Sequence, residues 1–130
     1  MERDRFEELV AEALDTLPEE LRRRIANVTV EVRPLADRAT LDSVKARHPM
    51  NLLGIYQGIP FNRRGPWYGN VTPDRILIFQ RPIEARCRTA EEVRRLVRSV
   101  VIHEFGHYFG LSDAELARLE REPRDDPQTP

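Results

Sequence analysis

The stretch TAEEVRRLVRSVVIHEFGHYFG, residues 89–110, decides how the rest of the chain is read. Thr89-Ala90-Glu91-Glu92 has the form of a capping box. The threonine hydroxyl accepts from the amide near Glu92, and the Glu92 carboxylate reaches back to the threonine amide, so a helix is predicted to begin here. Val93, Leu96, Val97, Val100 and Val101 recur at helical spacing and supply a buried stripe. The pattern continues to Gly110, a residue suited to the left-handed turn that ends helices. Such a helix is about 30 Å long at about 1.5 Å per residue.

Within it stands His103-Glu104-Phe105-Gly106-His107. Residues four apart share a helical face, so the two imidazoles can converge on one ion while Glu104 projects beside it. The face of Leu96 and Val100 runs on into His103 and His107, which is expected to hold a metal against the core, where low dielectric strengthens binding and polarisation. A catalytic zinc typically has three protein ligands and one position for water. Asp113 is the candidate third ligand, six residues after His107 and three after Gly110, whose permissive backbone can turn the chain back. The string H-E-x-x-H-x-x-G-x-x-D is the metzincin spacing with aspartate in place of the third histidine. Ser112-Asp113 also precedes a final helical run, Ala114 to Leu119, so Asp113 can instead serve as its cap; with Ser112 as the cap, both readings hold together.

The chemistry expected of such a site is hydrolysis of a peptide or amide bond. Zinc lowers the pKa of bound water toward about 7, and Glu104 is placed to take its proton as a general base. Tyr56, Tyr68 and Arg63 are available to assist the oxyanion, and spacing assigns none of them. His48, before Pro49, is left out of the site. Cys87 lies between Arg86 and Arg88 without a catalytic partner at a recognisable spacing and is read as inert.

Outside this helix the sequence sets bounds. At 130 residues, with 40% hydrophobic and 33% charged side chains, the chain suits one domain, taken as residues 1–121, with a solvated surface. Residues 122–130 are polar and proline-interrupted and are expected to be disordered. A net charge of -1 and a pI near 6.3 leave no electrostatic footprint for nucleic acid or anionic lipid. Arg22-Arg23-Arg24 is read as a solvated helix face. The charged N-terminus does not resemble a secretory signal, no apolar run approaches a membrane span, and a lone cysteine permits no internal disulfide. A cytoplasmic protein is the expectation.

Along the chain, Phe6, Leu9, Val10, Ala13, Leu14 and Leu17 predict an amphipathic helix from Asp4 to Leu17, broken by Pro18. A short turn over Glu19 to Ile25 precedes Val28-Thr29-Val30-Glu31-Val32, which alternates as a strand closed by Pro34. Thr40 to Arg47 reads either as a helical turn or as irregular chain, and Pro49 excludes helix at His48. Gly54 to Pro60 and Asp74 to Gln80 read as strands able to pair as a hairpin, with a turn at Asn62 to Pro66. Ile76 to Phe79 are core residues and a candidate edge strand for a bound peptide. Gly106 is read as accommodating close packing.

The chain resembles the bacterial short zincin-like metallopeptidases, or minimal zincins. The likeness rests on residues 53–60, on 73–79 with Arg81-Pro82-Ile83, and above all on 101–113, VIHEFGHYFGLSD. It implies an α+β fold, a small mixed sheet packed on an N-terminal helix and the long motif-bearing helix. It further implies a metal held by His103, His107 and Asp113, with Glu104 as the catalytic carboxylate. Compared with true metzincins, Asp113 replaces histidine, no methionine follows position 50, and no sizeable domain lies below the cleft. The groove should therefore be shallow, binding a peptide weakly or completed by a second subunit or a partner protein. Two rival expectations are a non-catalytic metal-stabilised binding module and a regulatory protease acting on one partner.

Overall fold

The computed structural model describes residues 1–58 and 74–121. The apolar steps of the first segment form α1, Arg3–Asp15, which buries Phe6, Leu9, Val10 and Ala13 on one face. It ends before Pro18, which can neither donate an amide nor fit the next turn. α2, Glu19–Arg24, has acidic residues in its first turn and arginines in its last, the sense that complements the helix dipole. Its arginines are not simply a solvated face. Arg24 stacks its guanidinium over the rings of Phe105 and Phe109, 5.2 and 5.5 Å from their centroids, a cation–π contact.

β1 spans Thr29–Arg33 and α3 spans Arg38–Ser43. The ambiguous region is thus helical two residues earlier than Thr40, because Asp37 occupies the cap and accepts from the Thr40 amide at 2.8 Å. His48 is extended, as a residue before proline must be, and its Nδ1 accepts the Met50 amide over one 3-10 turn, Pro49–Asn51.

β2, Gly54–Gln57, and β3, Arg75–Phe79, pair antiparallel, with Tyr56 opposite Ile76, as the two segments had suggested. β1 lies parallel on the other side of β3, so the sheet is mixed and its order is β1-β3-β2. This corrects one expectation: Ile76 to Phe79 form the central strand, and their backbone groups are already used by two neighbours. Ile76 and Ile78 face the main core with α1 and α5, while Leu77 and Phe79 face a smaller cluster with Ala36, Leu41 and Ile55. Burial on both faces explains the unbroken apolar run. Among the described residues the sheet edges belong to β1 and β2. That of β1 is crossed by the Arg3 guanidinium, which donates to the Val32 carbonyl.

α4, Gln80–Glu84, was not expected because it contains Pro82. The proline sits in the first turn, where its missing amide has no intrahelical partner to lose. α5, Ala90–Phe109, has Thr89 as its cap, with the Thr89 hydroxyl accepting from the Glu92 amide at 3.1 Å. The Glu92 carboxylate takes the Arg88 amide, one residue further out than the capping box predicts. At the other end Gly110 is left-handed, φ 71°, and the Leu111 amide donates to the Gly106 carbonyl at 2.8 Å. α6, Asp113–Arg121, closes the described chain. α1 and α6 both pack on α5, an α+β arrangement with the small sheet alongside. The turn at Asn62 to Pro66 and the tail 122–130 lie outside the described residues. No helix among the described residues is long and apolar enough to cross a membrane.

Candidate metal centre

The stripe of α5 that enters the core is Val93, Val97, Val101, Ile102 and Phe105. The histidine face is rotated away from it toward the rim between β2 and α6. Hence His107 is exposed and the His103 side chain is 41% exposed, which corrects the expectation of a site pressed against the core. The two rings lie on one side of the helix with centroids 6.3 Å apart.

Glu104 follows His103 on the same helix. It is half-buried, and this burial raises its carboxyl above the usual carboxylate value, against the lowering influence of His107 and His103. It lines a groove of about 310 Å³ with Leu52, Leu53, Gly54, Val100 and His103. Gly54 is required there: a Cβ would meet Val100 Cγ1 at 2.6 Å and the Leu77 carbonyl at 2.9 Å. A larger groove of about 490 Å³ lies between α1 and β1. Its charges are paired among themselves, Arg3 with Glu7 and Arg33 with Glu31, so we place the chemistry in the smaller one.

His103 is held from behind. Its Nδ1 is 2.8 Å from the Ser99 carbonyl and 3.3 Å from Glu120 Oε1. Both are acceptors, so these surroundings favour the tautomer with the proton on Nδ1 and the lone pair on Nε2. The donor chemistry, an imidazole with one nitrogen committed and another imidazole four residues on, fits a divalent transition metal such as zinc. Ser99 and Glu120 were missed in the sequence. Ser99 is four residues before His103 and was legible as a helical neighbour; Glu120 sits on another helix and gives no sequence signal.

Asp113 is exposed at the start of α6. Ser112 provides the cap, its hydroxyl accepting from the Glu115 amide at 3.1 Å while Glu115 takes the Ser112 amide at 3.2 Å. The Asp113 carboxylate is therefore not required as a cap. Among the described residues no three of His, Cys, Asp and Glu stand close enough to form a metal-holding group: His103, Glu104 and His107 share α5, and Asp113 stands at the start of α6. The Tyr56 hydroxyl donates to Asp74 Oδ2 at 3.0 Å and its ring stacks on Tyr108 with centroids 4.2 Å apart. Tyr68 and Arg63 lie outside the described residues.

The model of a zincin-like metallopeptidase family matches residues 25–122, from the end of α2 through β1, the sheet, α5 and α6. No curated protein matches the chain.

Proposed function

The chain belongs to the zincin-like metallopeptidases, and on that premise we propose that it is a zinc-dependent peptidase whose general base is Glu104. His103 and His107 would hold the ion, and Asp113 would be the third ligand, three residues beyond the left-handed turn at Gly110. Bound zinc supplies a Lewis acid and lowers the pKa of water. The protein's own groups do the rest. Glu104 takes a proton from the attacking water as its oxygen adds to the carbonyl carbon. It then returns that proton to the amine nitrogen as the carbon–nitrogen bond breaks.

The observation that carries this reading is the half-burial of Glu104 in the wall of a groove that His103 also lines, with the electrostatic influence of both histidines on its carboxyl. Desolvation makes its carboxylate a stronger base than an exposed one. A structural metal site has no use for such a group. β2 supports the substrate class: it is a sheet edge among the described residues, and Gly54 at its start lines the same groove, so an extended peptide can lie along it. A groove of about 310 Å³ holds only a short stretch of peptide. Recognition of anything longer falls to a second subunit or a partner protein. A cytoplasmic setting remains part of the proposal.

The test is metal analysis with a peptide-library cleavage assay on wild type and Glu104→Gln. Stoichiometric zinc in both, with turnover lowered about 10²- to 10⁴-fold in the variant, is expected. Zinc without Glu104-dependent turnover would instead make the protein a metal-stabilised binding module. Cleavage of one folded partner alone would make it a regulatory protease.

A further inference from the structure

We infer that Glu120, acting with Ser99, is a positioning residue for the metal site: it holds the His103 ring from behind and fixes which nitrogen is offered to the ion. The inference rests on the metal reading above and adds to it a residue from a different helix.

The geometry is built as a chain of contacts. The Ser99 hydroxyl donates to Glu120 Oε1 at 2.5 Å, and the same carboxylate oxygen is 3.3 Å from His103 Nδ1. The Ser99 carbonyl, 2.8 Å from Nδ1, shares the proton. Glu120 is also restrained through its backbone, since the Arg98 guanidinium donates to the Glu120 carbonyl at 2.9 Å. Leu116 and Leu119, both buried, anchor the helix that carries it. The Glu120 side chain is 34% exposed, so this is a partly shielded contact instead of a free surface pair.

Two consequences follow for His103. The ring cannot rotate to present Nδ1, because that nitrogen is already donating. A carboxylate on the far side of an imidazole also raises the basicity of the nitrogen facing the metal, and loss of such an outer partner typically weakens metal binding about 10- to 100-fold. α6 thereby becomes part of the site even though its first residue, Asp113, is the only one that the motif spacing singles out.

The decisive experiment uses the full chain and two readouts. Nitrogen-15 NMR of the metal-free protein, at a pH where imidazole is neutral, reports the His103 tautomer; competition titration with zinc reports affinity. Wild type is expected to carry the proton on Nδ1. Glu120→Ala, which leaves only the Ser99 carbonyl on Nδ1, is expected to weaken the preference for that tautomer and bind zinc about 10- to 100-fold more weakly. Glu120→Gln, equal in shape and safest for folding, should fall between the two. A residue that merely fastened α6 would lower the melting temperature and leave the ring unmoved. An unchanged tautomer or unchanged affinity in a folded variant overturns the proposal. If wild type binds no stoichiometric zinc, the peptidase reading fails separately, and the tautomer measurement alone decides the role of Glu120.

Discussion

Replacing Gly106 by alanine tests how closely α6 is seated on the motif-bearing helix. Gly106 is buried, and a Cβ built there stands 2.0 Å from Leu116 Cδ2, 3.1 Å from Cγ and 3.3 Å from Cδ1. Two effects oppose each other. Alanine is favoured over glycine inside a helix by about 0.8–1.0 kcal/mol, whereas forcing a methyl group into filled space costs about 1–3 kcal/mol. Leu116 is itself 3% exposed and belongs to the main core, so it cannot swing outward freely. The steric effect therefore wins, at about 2 kcal/mol, and the net change is a destabilisation of about 1 kcal/mol. Urea unfolding measures it. Leu116→Ala alone should cost about 2–5 kcal/mol. On that background the Gly106 methyl enters vacated space, and Gly106→Ala should stabilise by about 1 kcal/mol. The coupling between the two sites is then about 2 kcal/mol. A single variant more stable than wild type, or an equal effect in both backgrounds, refutes the packing.

Gly110→Ala should destabilise by about 1 kcal/mol through backbone strain alone, since φ is 71° and no atom lies within 4 Å of the added methyl; Gly110→Asn should cost less, and an unaltered urea midpoint for the alanine variant contradicts the left-handed cap. Cys87 is half-buried, and desolvation, then Glu92, raise its thiol against the lowering effect of Arg86. Its alkylation at neutral pH is expected to be slower than in the urea-unfolded chain, and faster labelling of the folded form sinks that view. Asp37 has its carboxyl held below the ordinary 3.8 by hydrogen bonds from the Thr40 hydroxyl and amide. Its folded value lies below its unfolded one, so its contribution is complete above the unfolded value and is lost as pH falls through the folded value. The melting-temperature deficit of Asp37→Ala should be steady at neutral pH and shrink in acid; a deficit that widens on acidification contradicts the cap.

Much of this protein was legible residue by residue, because local rules act over one helical turn or one strand pleat. Thr89 and Gly110 bound α5, Pro18 ends α1, and the four-residue step from His103 to His107 puts both rings on one side, all from interactions between near neighbours. The family resemblance carried by the motif is matched by the family model over residues 25–122. The tertiary structure decided what depends on partners distant in the chain. An apolar strand carries no mark of being central or at the edge, and only the pairing of Arg75–Phe79 with both neighbours settled it. Nor does helical periodicity say how far a face is turned from the core. Val97 and Val101 packed inward left His107 in solvent and brought Glu120, from a separate helix, against His103, because burial and long-range hydrogen bonding are set by how elements pack.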